Sequence, residues 1–270
     1  MGKLKLGILG NGYLADIIVE AGLKGMLDEY ELVGVLGRTR EKTELLAKKG
    51  GCRACSTIDE LLALAPDYVA EAASVQSVKD CGVKILASGA SMIVLAIGAF
   101  ADKEFYGQVK ETAAVHGTRV YIASGAVGGF DVLRTISLMG QAEAGIRTKK
   151  GPASLKGTPL FEERLMEDAQ ESHVFHGNAK EAISLLPTKV NVAVASSLAT
   201  VGPEDTRVDI YSVPGMVGDD HKITSQIEGV KAVVDIYSST SAIAGWSVVA
   251  VLQNIFSRRP AGAVILDAVF

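Results

Sequence analysis

The stretch "LKLGILGNGYLAD", residues 4–16, decides the fold of the first half of this chain. Its apolar run ends in Gly10, and Gly12 and Ala15 follow with the spacing GxGxxA. Between a strand and a helix, the first glycine allows a sharp turn, the second lets backbone amides approach a pyrophosphate, and the small third residue lets helix and strand pack closely. The unpaired N–H groups that open the helix favour anions. The stretch therefore predicts a dinucleotide-binding turn.

Residues 1–125 continue the same alternation of apolar runs and amphipathic segments. Runs such as "ELVGVLG", "DYVAEAA" and "SMIVLAIG" are separated by segments with helical spacing of apolar residues, such as "DKEFYGQVKETAAVHG". Near-continuous apolar strands joined by helices indicate a parallel sheet that is covered on both faces. We therefore expect an α/β fold in which residues 1–125 form a Rossmann domain with a doubly wound parallel sheet.

The pattern changes after residue 125. The segments "TRVDIYSV", "HKITSQIE" and "VKAVVDIYS" alternate polar and apolar residues with period two, and only a glycine-bearing turn separates the last two. Such alternation indicates a half-exposed antiparallel sheet. We expect residues 126–239 to form a second α/β domain, which binds substrate and contains a largely antiparallel mixed sheet. The apolar segment 240–270 predicts a final helix that packs back on the first domain.

Composition excludes several classes of function. The net charge of −4 argues against binding to nucleic acid, which needs a surplus of Lys and Arg on one face. No stretch reaches the roughly 18 uninterrupted apolar residues of a membrane span, and the N-terminal apolar run is too short for a signal peptide. The odd number of cysteines, three, fits a reducing compartment. We expect a soluble cytoplasmic protein with a small-molecule substrate.

The end of the second predicted strand bears on the choice of nucleotide. Sites that prefer NAD place an acid there to bind the ribose hydroxyls, whereas this chain reads "VLGRTRE", with Arg38 and Thr39 at that position. An arginine suits the 2′-phosphate of NADP because it makes paired, charge-assisted hydrogen bonds. We expect NADP as the cofactor, with NAD possible; the other reading of Arg38 is a solvated loop residue.

Further cofactor contacts are expected where the other parallel strands end, since ligands of such sheets lie at the carboxyl ends of the strands. Small residues occupy these places after "YVAE", "MIVL" and "RVYIA" and leave room for ribose and nicotinamide. The complete set of predicted cofactor-binding residues is Gly10, Asn11, Gly12, Tyr13, Leu14, Ala15, Arg38, Thr39, Ala72, Ala73, Ala96, Gly98, Ser124 and Gly125.

Several blocks resemble the L-aspartate dehydrogenase family: "EAASVQSVKDCGVKILASGASMIVLAIGAFAD", "RVYIASGAVGGFD", "LLPTKVNVAVA", "DDHKI" and "STSAIAGWSVVAVL". They occur in the expected order and span almost the whole chain. The resemblance implies an NAD(P)-dependent enzyme that oxidises L-aspartate to iminoaspartate, which feeds NAD biosynthesis or hydrolyses to oxaloacetate and ammonia. It also implies a homodimer, with residues 126–239 serving in substrate binding and dimerisation.

The resemblance implies that His221 is the catalytic residue and that Asn191 belongs to the substrate pocket. A histidine can accept the ammonium proton or activate water for imine hydrolysis. Neighbouring Asp219 and Asp220 are expected to orient His221 and to raise its pKa. The cationic run "IRTKK" supplies candidate groups for binding a dicarboxylate, namely Arg147 and, in place of the family's Arg-Lys pair, Lys149 and Lys150.

The chain departs from the family pattern in a few places: Asp219 and Ala96 stand where Asn and Ser are common, and Lys189 replaces an asparagine. Two alternatives therefore stay open, another two-domain Rossmann oxidoreductase such as a homoserine dehydrogenase-like protein, or a non-catalytic NADP-binding sensor. Sugar dehydrogenases of this plan typically carry "EKP" where this chain reads "AIGAFAD".

His173 and His176 have ligand-like spacing but no acidic or cysteine neighbour, so they are interpreted as structural and no metal is expected.

Overall fold

The computed structural model describes residues 2–187 and 189–257. The chain divides into two compact units, the first running to Gly125 and including the segment from Ala242, the second running from Ala126 to Ser241. The end of the predicted C-terminal segment, residues 258–270, lies outside the described residues. No helix in the described ranges combines the length and apolar character that crossing a membrane requires.

The first unit is built on a six-stranded parallel sheet with strand order β3-β2-β1-β4-β5-β6. The strands are β1 (Leu4–Leu9), β2 (Tyr30–Leu36), β3 (Arg53–Cys55), β4 (Tyr68–Glu71), β5 (Ser91–Val94) and β6 (Val120–Ile122). The helices between them are α1 (Tyr13–Leu23), α2 (Arg40–Gly50), α3 (Ile58–Leu62), α4 (Val75–Ala87) and α5 (Lys103–His116), with a 3-10 helix at Ile97–Ala101. This order is that of the Rossmann fold, so the predicted doubly wound domain is confirmed.

The second unit contains a five-stranded sheet with order β11-β10-β7-β9-β8. Its strands are β7 (Glu143–Lys150), β8 (Ser172–Asn178), β9 (Arg207–Ser212), β10 (Asp219–Ile227) and β11 (Val230–Ser238), and its helices are α6 (Phe130–Met139), α7 (Ala179–Leu185) and α8 (Asn191–Leu198). Short 3-10 helices lie at Pro152–Leu155 and Glu163–Met166. Among these described strands, only β7 and β9 pair in parallel, which confirms the largely antiparallel mixed sheet.

Polar side chains define where several helices begin. Thr57 and Ser74 cap α3 and α4 by accepting a hydrogen bond from a backbone N–H three residues on, and Asp102 caps α5 in a similar way. Asn178 and Glu181 form a reciprocal capping box at the start of α7. Each cap satisfies N–H groups that have no partner inside the helix, so these boundaries are fixed locally by the sequence.

The last described helix, α9 (Ala242–Ser257), belongs to the first unit, where it contacts α1 and β5. Tyr30 donates its hydroxyl hydrogen to the Leu252 carbonyl at 2.6 Å, in the interior of the unit. A Cβ at Gly245 would lie 2.9 Å from the side chain of Ile17 on α1, so the two helices pack closely at this glycine. The segment thus completes the core of the first unit.

Alternation gives the second sheet one buried and one exposed face. On the buried face lie Ile146, Val208, Ile210 and Ile223, all nearly inaccessible to solvent. The opposite face carries charged residues and the exposed ring of Tyr237. Side chains at odd and even positions of one strand therefore lie in different environments, which separates the candidate site residues described next.

Candidate active site

The turn after β1 can be formed only with glycine at position 10. Gly10 has φ +132°, and a Cβ there would lie 2.4 Å from the Ala72 carbonyl oxygen. Its N–H donates to the Leu36 carbonyl at 2.7 Å. The turn is therefore held between the ends of β2 and β4, in a conformation that L side chains rarely adopt.

Gly12 has a different role, because a Cβ at this position would meet no atom of the described residues within 4 Å. It precedes α1, and in the part of the chain that the structure describes no side chain caps that helix. The first turn of α1 therefore presents backbone N–H groups beside open space, which is the arrangement that accommodates a pyrophosphate. The residues present fit a dinucleotide, and their donors suit its anionic part.

The side chain of Asn11 ties the turn to the segment after β2. Its Nδ2 donates to the Thr39 carbonyl at 2.8 Å and to Thr43 Oγ1 at 2.9 Å. A Cβ at Gly37 would lie 2.3 Å from Asn11 Cγ, so that glycine makes room for the asparagine. Asn11 thus fixes the position of the loop that follows β2.

Arg38 and Arg40 differ in what they contact. Arg40 is engaged through Nε with Glu44 at 2.6 Å and through its guanidinium with Ser56. Arg38 is exposed and, within the described residues, makes no hydrogen bond or ion pair. Arg38 is therefore the cation beside β2 whose donors are free to bind an anion.

Glu71, which the sequence analysis missed, joins the ends of β4 and β5. Its buried carboxylate accepts hydrogen bonds from the backbone N–H groups of Ala73 at 2.7 Å, Leu95 at 3.0 Å and Ala96 at 2.9 Å. Burial raises the pKa of this carboxyl group, and the N–H donors oppose that effect. An acid that ends the apolar run "YVAE" was the available signal.

The predicted cofactor-binding residues all follow carboxyl ends of the parallel strands. Residues 10–15 follow β1, Arg38 and Thr39 follow β2, and Ala72 and Ala73 follow β4. Ala96 and Gly98 lie after β5, and Ser124 and Gly125 lie after β6. The Gly125 N–H donates to Ser247 Oγ on α9 at 3.0 Å. Tyr13 is exposed, whereas Gly98 is buried in its 3-10 helix.

In the second unit, His221 lies in the interior of β10, with 2% of its surface exposed. Thr148 on β7 is its cross-strand partner, and Thr148 Oγ1 lies 3.0 Å from His221 Nδ1. Burial lowers the pKa of His221 to about 4, although the Asp219 carboxylate raises it. The charge of Asp219 therefore acts in the expected direction, but loss of hydration outweighs it and the net shift is downward.

Lys150 lies next to His221 on the same face and is equally buried. It is the cross-strand partner of Asp219, with Nζ 3.3 Å from Asp219 Oδ2 and 3.4 Å from the Lys189 carbonyl. The same Asp219 oxygen lies 4.0 Å from His221 Nε2. Burial lowers the pKa of Lys150, and Asp219 opposes this. The carboxylate thus stands between a buried amine and a buried imidazole.

Ser212 adds an unsatisfied hydroxyl to this group. It is the β9 partner of Lys150, and its buried Oγ has no hydrogen-bond partner among the described residues. Buried polar atoms are rarely left unpaired, so this hydroxyl fits a site that receives a polar ligand. We call Thr148, Lys150, Ser212, Asp219 and His221 the β7–β9–β10 polar cluster.

The other cationic candidates are not part of this cluster. Lys149 is on the opposite face of β7, where its Nζ pairs with Glu171 Oε2 at 2.5 Å. Arg147 is exposed on that same face. Asn191 is the first residue of α8 and is half-buried, and α8 contacts β7. Of the lysine pair that the sequence analysis proposed for substrate binding, the structure brings only Lys150 together with His221.

Comparisons with known proteins identify a related family for each of the two units. Residues 131–255 match the family model "Aspartate dehydrogenase, C-terminal", and residues 6–123 match "Homoserine dehydrogenase, NAD binding domain". The first unit is therefore an NAD-binding domain, which implies a nicotinamide cofactor. The structure of GenD2 from gentamicin A biosynthesis, in complex with NAD, is 13% identical with a TM-score of 0.56 over 98% of this chain and 89% of that chain, and it shows the shared fold alone.

Several relatives are similar to this chain over nearly the whole of both sequences. L-aspartate dehydrogenase of Methanococcus maripaludis is 33% identical over 261 residues, covering 93% of this chain and 97% of the relative. The enzyme of Methanosarcina mazei is 32% identical over 266 residues, covering 94% and 97%. The crystal structure of aspartate dehydrogenase from Thermotoga maritima is 26% identical with a TM-score of 0.75, covering 96% of this chain and 99% of that chain. The chain belongs to the L-aspartate dehydrogenase family.

Proposed function

We propose that this protein oxidises L-aspartate to iminoaspartate with a nicotinamide cofactor, and that the imine hydrolyses to oxaloacetate and ammonia or supplies NAD biosynthesis. The observation that carries the proposal is the β7–β9–β10 polar cluster, which places an amine, an imidazole and an unpaired hydroxyl together in the core of the second unit. To bind and oxidise an amino acid with two carboxylates, a site needs a cation and hydrogen-bond donors for the carboxylates and a base for the ammonium proton. The cluster contains each of these groups.

His221 suits the role of base because its imidazole is neutral at neutral pH. If its Nδ1–H donates to Thr148 Oγ1, the lone pair of Nε2 is available to accept a proton. The Asp219 carboxylate at 4.0 Å would then stabilise the imidazolium. Nε2 can take the proton from the substrate ammonium group, or from the water that attacks the imine.

Lys150 suits the binding of a substrate carboxylate. Its Nζ has three donors, of which two face Asp219 and the Lys189 carbonyl. The third donor can therefore bind a carboxylate oxygen, and the Ser212 hydroxyl can supply a second hydrogen bond. Asn191, at the start of α8, is proposed as a further donor to the substrate.

The cofactor is proposed to bind with its pyrophosphate at Gly12 and the first turn of α1. When bound, the nicotinamide ring accepts a hydride from the substrate. Arg38 is proposed to bind the 2′-phosphate of NADP, because its guanidinium is exposed and has no partner among the described residues, whereas Arg40 is occupied. Glu71 holds the backbone after β4 and β5 in place. NADP is therefore the preferred cofactor in this proposal.

A homodimer is proposed for the second unit. The exposed face of its sheet includes Val233 and Tyr237 on β11, with 47% and 60% of their surfaces exposed. Apolar side chains on an open sheet face are a common feature of protein interfaces. Light scattering coupled to size-exclusion chromatography would test this, and a monomeric mass would contradict it.

The proposed activity is tested by initial rates of reduced-nicotinamide formation with L-aspartate, measured separately with NADP and NAD. D-aspartate, L-glutamate and L-homoserine serve as control substrates. A rate that is specific for L-aspartate and larger with NADP supports the proposal. Tight NADP binding without turnover of any of these substrates would instead favour a sensor, and turnover of homoserine alone would favour a homoserine dehydrogenase-like enzyme.

A further inference from the structure

A β-bulge in β8 places two histidines on one face of the second sheet. In a regular strand, His173 and His176 would point to opposite faces because they are three positions apart and side chains alternate between the faces. The register changes from His173 opposite Tyr211 to Phe175 opposite Ile210, so Val174 is an extra residue. Both imidazoles therefore lie on the side of the sheet that carries Tyr211. Bulges commonly redirect side chains at functional sites.

The carboxylate that contacts both histidines comes from β9. Asp209 is the cross-strand partner of His176, and its Oδ1 lies 2.8 Å from His176 Nδ1 and 3.1 Å from His173 Nε2. The possible ligand atoms of these three residues all lie within 4.8 Å of one another. The ring of His173 stacks on Tyr211, with centroids 4.5 Å apart and planes inclined by 13°, which fixes its orientation.

We propose that His173, His176 and Asp209 form a binding site for a divalent transition-metal ion, with Zn²⁺ the ion that suits it best. Two imidazole nitrogens and one carboxylate oxygen are ligands that Zn²⁺ accepts, and the remaining position would hold water. Ligand atoms about 2.1 Å from a tetrahedral ion are about 3.4 Å apart. The two separations from Asp209 Oδ1, 2.8 and 3.1 Å, require only a small outward movement, and the two imidazole nitrogens lie within 4.8 Å of each other. The sequence predicts no metal here because Asp209 is distant from both histidines along the chain and approaches them only through the pairing of β8 with β9.

This site is separate from the β7–β9–β10 polar cluster. Asp209 alternates along β9 with the buried residues Val208 and Ile210, so it lies on the exposed face of the sheet. The proposal therefore does not depend on the dehydrogenase activity. A bound ion would connect β8, which is an edge strand of the described sheet, to β9. It would stabilise the native state because it binds the folded arrangement of ligands.

Arg207 opposes the ion and supplies an internal test. Its Nε lies 3.7 Å from Asp209 Oδ2, the oxygen that does not contact the histidines. A guanidinium there disfavours a second positive charge nearby. Replacing Arg207 by Ala should therefore strengthen metal binding. If the cluster were only a structural ion-pair network, the same replacement would remove one contact and would not increase the affinity for Zn²⁺.

The test is a calorimetric titration of the full-length protein with Zn²⁺. His173→Ala and His176→Ala should each weaken binding of one equivalent at least about tenfold, and Arg207→Ala should strengthen it. His116→Ala is the matched control, because His116 is an exposed histidine at the end of α5. The three cysteines are unchanged in every variant, so binding to thiols cancels in the comparison.

Thermal unfolding supplies a second readout, since Zn²⁺ should raise the Tm of the wild type and of His116→Ala but not that of His176→Ala. The proposal is overturned if the wild type does not bind Zn²⁺. It is equally overturned if His173→Ala and His176→Ala bind the ion as tightly as His116→Ala does.

Discussion

His221 and Thr148 face each other across two antiparallel strands, with Nδ1 and Oγ1 3.0 Å apart in the core of the second unit. The register of β7 and β10 that pairs them also pairs Lys150 with Asp219 two residues further along. A single strand alignment therefore assembles most of the polar cluster. Its groups are held by backbone hydrogen bonds of the sheet, so we expect them to be positioned rigidly before substrate binds.

Replacing His221 by Ala is expected to lower kcat with L-aspartate by about 10²- to 10⁴-fold, because the proposed base is lost. Binding of NADP, followed by fluorescence titration, should stay at the wild-type level since the cofactor residues lie in the other unit. A His221→Ala variant that retains its rate would show that another group carries the proton. A parallel loss of NADP binding would point to misfolding instead.

The burial of His221 predicts a specific dependence of stability on pH. Its pKa is about 4 in the folded protein, against 6.5 for the unperturbed group, so the unfolded chain binds a proton first as the pH falls. The stabilisation from the neutral imidazole is complete above about pH 6.5 and is lost between about pH 6.5 and pH 4. The full effect is on the order of 3 kcal/mol in the free energy of unfolding.

Urea unfolding at several pH values measures this effect, with His221→Gln as the comparison because glutamine does not titrate. The wild type should lose more stability than the variant over this pH interval. Parallel curves for the two proteins would show that His221 titrates normally in the folded state.

Lys150 and Lys149 form a matched pair of adjacent lysines on opposite faces of β7. Lys150→Met is expected to lower kcat/KM for L-aspartate by about 10- to 100-fold, since one charge-assisted hydrogen bond to the substrate contributes about 1.5–3 kcal/mol. Lys149→Met should behave like the wild type, because it removes only an ion pair with Glu171 on the outer face. Steady-state kinetics of both variants test this prediction. An equal loss of kcat/KM in Lys150→Met and Lys149→Met would show that the substrate carboxylate does not bind at Lys150.

The elements that sequence could predict are those defined by neighbouring residues. The GxGxxA turn, the parallel strands and the period-two strands β9, β10 and β11 depend on patterns within a few residues. These features formed as expected because local hydrogen bonds and burial favour the same conformation.

The features that sequence did not predict depend on pairing between distant segments. "IRTKK" was interpreted as a cationic run, but as part of β7 it places Lys149 and Lys150 on opposite faces. Asp209 reaches His176 only through the β8–β9 register, across 33 positions of sequence. The low pKa of His221 follows from packing around the strand, which neighbouring acids in the sequence cannot reveal.

Arg38 and Arg40 provide a second matched pair, for the choice of cofactor. Arg38→Ala is expected to raise the KM for NADP about tenfold or more, because it removes charge-assisted hydrogen bonds to the 2′-phosphate. The KM for NAD should change little, since NAD lacks this phosphate. Arg40→Ala should leave the NADP/NAD ratio unchanged, because Arg40 is engaged with Glu44 and Ser56. If Arg38→Ala has no effect on the ratio, the arginine is only a solvated loop residue.

Gly10 and Gly12 are expected to fail in different ways when replaced by alanine. At Gly10 the new Cβ would meet the Ala72 carbonyl at 2.4 Å in a left-handed conformation, so Gly10→Ala should lower the Tm. At Gly12, φ is −95° and the space is open, so Gly12→Ala should fold with nearly unchanged Tm. It should nevertheless weaken NADP binding, because the methyl group occupies the space proposed for the pyrophosphate.

Thermal unfolding and fluorescence titration of NADP, carried out on both variants, separate these two effects. Gly12→Ala is the decisive variant, because an unchanged Tm would show that any loss of NADP affinity is not caused by misfolding. A variant that keeps the wild-type Tm and loses affinity identifies Gly12 as part of the cofactor site. If it instead binds NADP as tightly as the wild type, the pyrophosphate does not approach the backbone at this glycine, and the cofactor must be held by other N–H groups.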